Sequence, residues 1–204
     1  VLATQDAETI GGLSDNAASI ANFAGVFGLT STSGADGAAT PTLSYALTLA
    51  VAAGTNSGLT IGGTAIKLYS VGGVIVGSTA LSAPASATDA SVVFSLGVNG
   101  GGVVTLTQYQ QIDHPIGTDP TATEAPFADH SLLLAKGLVN LTASSTITDN
   151  DGDTASDSET IDLGGNVRFD DHGPSVSTTG VVPTLTVDET TLLTDDAASF
   201  AANF

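Results

Sequence analysis

Between Thr146 and Pro174 the chain carries Asp149, Asp151, Asp153, Asp157, Glu159, Asp162, Asp170 and Asp171 against a single cation, Arg168. Carboxylates at that density repel one another, and salt screens exposed charges over only ~8 Å at physiological ionic strength. A fold that gathers these side chains calls for a bound cation. The ligand types narrow the choice. Asp149, Asp151 and Asp153 alternate around Gly152, so three carboxylates can turn onto one centre while the glycine lets the backbone bend tightly. There is no Cys, and the His residues are scattered singly, so a sulfur- or nitrogen-rich zinc or copper site is not expected. Hard oxygen donors on a flexible loop favour Ca2+ over Mg2+, which demands a more regular octahedron and keeps its waters.

The loop is not an EF-hand. Counted from Asp149, Thr154 stands where the glycine of that motif belongs and Thr160 where its bidentate Glu belongs. The flanks, Leu138 to Thr148 and Ser156 to Leu163, are rich in β-branched residues and read as two strands meeting at the acidic turn. A solvated, ion-free Asp-rich hairpin is the alternative. The Asp triplet, the later Asp170 and Asp171, and the net charge of −18 favour calcium.

That charge also excludes partners. Three Lys plus Arg stand against 21 Asp plus Glu, so nucleic acid and anionic membranes are repelled. The chain nonetheless has the means to fold, with 42% hydrophobic residues and a mean hydropathy of +0.30. Without Cys there is no disulfide framework, so an extracellular form needs stiffening of another kind, which metal ions can supply. No run approaches the ~20 apolar residues of a membrane span. The start at Val1, with neither signal peptide nor initiator Met, suggests an internal slice of something longer.

The two ends resemble each other. Setting Asp15 on Asp195 aligns Ala17-Ala18-Ser19 with Ala197-Ala198-Ser199, and one inserted residue brings Asn22-Phe23 onto Asn203-Phe204 and Glu8-Thr9 onto Glu189-Thr190. The expected organisation is one module over residues 1–174, closed by Gly173-Pro174, followed over residues 175–204 by a linker and the start of the next copy in a tandem array.

Between the ends the pattern is β. Leu43, Tyr45, Leu47, Leu49 and Val51 alternate with smaller or polar residues, as in a half-buried strand. Ile66 to Val71 and Val74 to Val76 flank the two-residue turn Gly72-Gly73, and Val92 to Leu96 and Val103 to Thr107 flank Asn99 to Gly102. Ser131 to Ala135 is a short apolar run, strand or single helical turn. Frequent glycine and the lack of a sustained 3.6-residue period argue against long helices, so the expected fold is an all-β, antiparallel β-sandwich. Residues 30–42 read as a loop. Residues 111–130 form a long irregular stretch that holds a second calcium through Asp113, Asp119 and Glu124, or is simply a mobile flap.

Thr148-Asp-Asn-Asp-Gly-Asp-Thr-Ala-Ser, then Asp170-Asp171-His172-Gly173-Pro174, then Leu185-Thr-Val-Asp-Glu-Thr190, resemble the repeat domains of large bacterial repeats-in-toxin adhesins exported by type I secretion. The resemblance is most specific in the last third of the chain. It implies calcium-binding, immunoglobulin-like extender modules, and it departs from the family pattern where His172 interrupts Asp-Asp-Gly-Pro. The Gly-Gly-x-Gly-x-Asp repeats of the calcium β-roll are absent, which implies a stalk module. The expected metal ligands are Asp149, Asp151, Asp153, Asp157, Asp170, Asp171, Asp188 and Glu189, with Ca2+ as the cofactor.

The function expected first is mechanical: a spacer in a secreted adhesin of the bacterial cell surface, made rigid by extracellular calcium, with neighbouring repeats of the same polypeptide as its partners. The second is a calcium-dependent module for a surface glycan, with Tyr109 beside the 111–130 stretch as its aromatic platform and Asp113, Asp119 and Glu124 as its polar groups. An enzyme is not expected. Asp113-His114 and Asp129-His130-Ser131 contain the residue types of a hydrolytic triad, but neighbours on a strand point to opposite faces, and a solvated loop His is the expected role for each.

Overall fold

The computed structural model describes residues 1–9, 17–28, 30–32, 35, 37, 40–115, 131–171, 180, 184–187, 190, 196–197 and 199. Its contacts divide the chain into two units, Val1–His172 and Gly173–Phe204. In the second unit the amide of Thr186 donates to Asp196 Oδ2 at 2.7 Å.

The first unit is all-β. Its strands are β1 (Leu2–Gln5), β2 (Ala17–Asn22), β3 (Thr42–Leu49), β4 (Thr55–Ile61), β5 (Thr64–Val71), β6 (Val74–Ser78), β7 (Val92–Val98), β8 (Val103–Gln108), β9 (Ser131–Leu133), β10 (Val139–Thr148), β11 (Thr154–Asp162) and β12 (Val167–Asp170), with short 3-10 turns at Asp6–Thr9 and Ala24–Val26. The turn chemistry sets this succession. Gly72 and Gly73 both take positive φ (60° and 84°), the backbone that lets a two-residue turn follow the twist of the flanking strands. As a result β5 and β6 pair from Val71↔Val74 outward.

The largest sheet is antiparallel throughout, in the order β2-β8-β7-β6-β5-β4. A second sheet, β11-β10-β3, lays β3 across β5, β6 and β7. A third, β1-β12-β9, brings β1 against β2 and β8. The sheets pack together as a sandwich, and none closes into a barrel among the described residues.

One pairing departs from the antiparallel expectation: β1 runs parallel to β12, from Leu2↔Val167 to Gln5↔Asp170. Parallel neighbours need a long connection, and here nearly the whole unit lies between them.

The core draws on all three sheets. Ile66, Leu68, Ile75, Phe94, Leu96, Val104 and Leu106 come from the large sheet, Leu47, Val139 and Leu141 from the second, and Leu2, Val167 and Phe169 from the third. Phe94 and Phe169 meet with ring centroids 5.0 Å apart, joining the first of these groups to the last. The other face of the large sheet carries a smaller cluster of Tyr69, Val76 and Val92 with Tyr109 packed against it, so β7 is covered on both sides over Val92–Leu96 and reads as an apolar run. By contrast β11, at the edge of its sheet among the described residues, is exposed along almost its full length and carries Asp157, Glu159 and Asp162, charges of the kind that disfavour edge-to-edge pairing.

Candidate metal centre

The acidic turn sits at the tip of the β10–β11 hairpin. Pairing runs from Asn140↔Asp162 to Thr148↔Thr154, and the Asp149 amide then donates to Asp153 O at 3.0 Å, leaving Asn150-Asp151-Gly152 as the loop. Gly152 takes φ 100°, which L side chains rarely adopt. Asp149 Oδ1 accepts the amides of Gly152 (3.1 Å) and Asp153 (2.8 Å), so this side chain is also the cap that shapes the turn.

One carboxylate oxygen from each of Asp149, Asp151 and Asp153 lies within 4.8 Å of the others, with Asp149 half-buried and its companions exposed. The neighbouring Asp151 carboxyl, then the turn amides of residues 153, 152 and 151, hold the Asp149 carboxyl below the usual carboxylate range. The chain's Lys67, Lys136 and Arg168 lie elsewhere: on β5, before β10, and on β12 with its Nε 3.0 Å from Asp170 Oδ1. Three clustered oxygens on an exposed turn can supply part of a six- to eight-oxygen shell, with carbonyls and water making up the rest.

A second group forms where β1 and β12 end. Because these strands are parallel and Gln5 pairs with Asp170, the next residues of each, Asp6 and Asp171, emerge at the same end. His114, six residues beyond β8, joins them. Its Nδ1 is 3.5 Å from Asp6 Oδ2, 3.7 Å from Asp171 Oδ1 and 2.9 Å from Ile112 O, and its Nε2 is 3.1 Å from Phe169 O.

The expected solvated loop His is therefore corrected at this position, where the His114 side chain is 2% exposed. Burial opposes its charged form. Asp6 as hydrogen-bond partner, the Phe169 carbonyl, and the charges of Asp6 and Asp171 outweigh that and raise its pKa to about 9. Asp6, itself buried, also accepts Gln108 Nε2 and the Ile112 amide. Nothing local in the sequence marks this group, because its members are separated by more than 50 residues and only the β1–β12 register assembles them.

The other sequence-predicted residues fall in different places. Asp170 Oδ1 accepts Ser131 Oγ at 2.6 Å and lies 3.0 Å from Arg168 Nε. Asp157 lies on exposed β11, beside a surface cavity of about 450 Å3 that Glu159, Ser145 and Phe27 also line. Asp113 grips the β4–β5 turn, accepting Gly62 N, Gly63 N and Thr60 Oγ1, each at 2.8 Å. The Gly63 amide first, then Thr60, hold its carboxyl below the usual range. Tyr109 packs on the small cluster with its hydroxyl 3.1 Å from Ser95 Oγ. Asp119, Glu124, Asp188, Glu189, His130 and the Gly173-Pro174 pair lie outside the described residues, as do Asp15, Asp195, Ala198, Asn203 and Phe204 of the end-to-end repeat.

An antiparallel β-sandwich with clustered carboxylates at a hairpin tip and at its strand ends defines the class of protein. Within that class, the chain belongs to the family described as "Domain of unknown function (DUF5801)", whose profile matches residues 4–164. No curated protein and no solved structure matches the sequence. Among the described residues no helix is long and apolar enough to cross a membrane.

Proposed function

We propose that this chain is a calcium-stabilised extender module in the stalk of a secreted bacterial surface adhesin of the repeats-in-toxin type. The observation that carries the reading is the hairpin tip, where Asp149, Asp151 and Asp153 offer oxygens within 4.8 Å of one another and none of the chain's cations sits among them. The sequence resemblance in the last third of the chain supplies the biological setting. A net charge of −18 in 204 residues gives divalent cations a general reason to stabilise the compact state.

Free calcium at 100 times a site's dissociation constant adds ~2.7 kcal/mol of stability, against the ~5–15 kcal/mol of a typical domain. In low-calcium cytosol the chain is then loose enough to thread through an exporter, and outside the cell it stiffens. Thermal melting in millimolar Ca2+ and in EDTA tests this. The midpoint rises with Ca2+, and Asp151→Asn with Asp153→Asn removes most of the rise. A midpoint indifferent to chelation rejects the reading.

A further inference from the structure

The group at the ends of β1 and β12 has chemistry that an oxygen-only calcium loop lacks. It contains an imidazole, and its members are much less exposed than the hairpin tip: the side chains are 7% exposed for Asp6, 2% for His114 and 25% for Asp171. Three observations point to an ion there.

The first is spacing. Ligands sharing one tetrahedral ion at ~2.0–2.1 Å lie ~3.3–3.4 Å from one another. The separations of Nδ1 from the two carboxylate oxygens, 3.5 and 3.7 Å, approach that value. The second is orientation. A metal-bound His characteristically donates its other ring N–H to a carbonyl or carboxylate, which fixes the tautomer. Nε2 has that partner in Phe169 O at 3.1 Å, while Nδ1 faces the two carboxylates together with a third oxygen, Ile112 O at 2.9 Å.

The third is polar satisfaction: beside Asp6, Gln108 is fully buried with Nε2 on Asp6 and Oε1 without a hydrogen-bond partner among the described residues, so the wall around Asp6 has unused oxygen capacity. Asp6 and Asp171 also line an open cavity of about 570 Å3, which gives an ion a way in and water a place in its remaining positions.

We infer that Asp6, His114 and Asp171 bind a divalent transition-metal ion of the zinc type, which staples the first strand of the module to its last. The nitrogen ligand selects against Ca2+ and Mg2+, which prefer oxygen alone. On binding, the ion takes the place of the Nδ1 proton, which leaves to solvent. The site is independent of the hairpin tip and does not rest on the adhesin reading.

Co2+ is the probe, because its visible absorption reports coordination directly. The full chain is stripped with chelator, desalted and titrated with Co2+ at pH 7.5. A visible band saturating at one equivalent and abolished by one equivalent of Zn2+ is expected. The band persists in the combined Asp149→Asn, Asp151→Asn, Asp153→Asn protein. It is weakened by at least ~100-fold in apparent affinity in Asp171→Asn and His114→Gln, more than the ~10–100-fold typical of losing an outer-shell partner. Circular dichroism checks that each variant is folded, and Asp171, the most exposed of the three, provides the milder change. No band in the parent chain, a band that survives both substitutions in folded protein, or one lost with the hairpin-tip aspartates overturns the inference.

Discussion

At the scale of single residues, the sandwich depends on close approaches that a change of one atom disturbs. Gly77 on β6 pairs with Phe94 on β7, and a Cβ built there would collide with the Phe94 ring. The ring cannot retreat freely, because it is fully buried and packs against Phe169. Gly77→Ala is therefore expected to destabilise the fold by ~1–3 kcal/mol, as overpacking of a filled core does, read as a lower urea midpoint at unchanged slope.

His114 supplies a prediction of opposite character. Its folded pKa of about 9 lies above the ordinary value of 6.5, so the proton favours the folded state. That contribution is fully present below pH 6.5 and is lost as pH rises to 9. In chelator, the melting midpoint should fall across this window, and His114→Gln should flatten the fall. An identical pH profile in the variant would remove the imidazolium from the account.

At the scale of elements, the β10–β11 hairpin shows what the sequence made legible. β-branched flanks and the Asn150-Asp151-Gly152 turn announced both strands and the place where they meet, because all the information lies within the hairpin itself. The β5–β6 and β7–β8 hairpins were readable for the same reason. β1 and β12 were not, being four residues each and paired with one another across the whole unit. β4 carries no clear strand pattern either, since Thr55-Asn-Ser-Gly-Leu-Thr-Ile61 is largely polar and its pairing with β5 slips between Asn56 and Thr60. The Asp149 triplet was visible as a motif, whereas the Asp6–His114–Asp171 group depended on the unseen strands and stayed hidden with them. Within the hairpin, Gly152 is the residue on which turn and ion site both depend. Gly152→Ala forces a side chain into φ 100° and should cost ~1–2 kcal/mol in the absence of calcium. It should also lower calcium affinity, because the turn that aims Asp151 and Asp153 is distorted; calorimetric titration of the variant checks the second effect apart from the first.

At the scale of the whole molecule, two effects of calcium have to be separated. A chain of charge −18 is destabilised by its own repulsion, and any salt relieves part of that by screening. Screening depends on ionic strength and is indifferent to which cation supplies it. Binding at a carboxylate cluster depends on the identity and concentration of the ion, and saturates. Melting the protein in NaCl should therefore raise the midpoint gradually over hundreds of millimolar, whereas Ca2+ at constant ionic strength should raise it further and reach a plateau. Replacing Asp151 and Asp153 by Asn removes two of the negative charges but leaves most of the repulsion, so the NaCl response should persist while the calcium plateau collapses. If NaCl at matched ionic strength reproduces the whole calcium effect, the acidic hairpin is a solvated turn and not an ion site, and the stalk reading loses its physical basis.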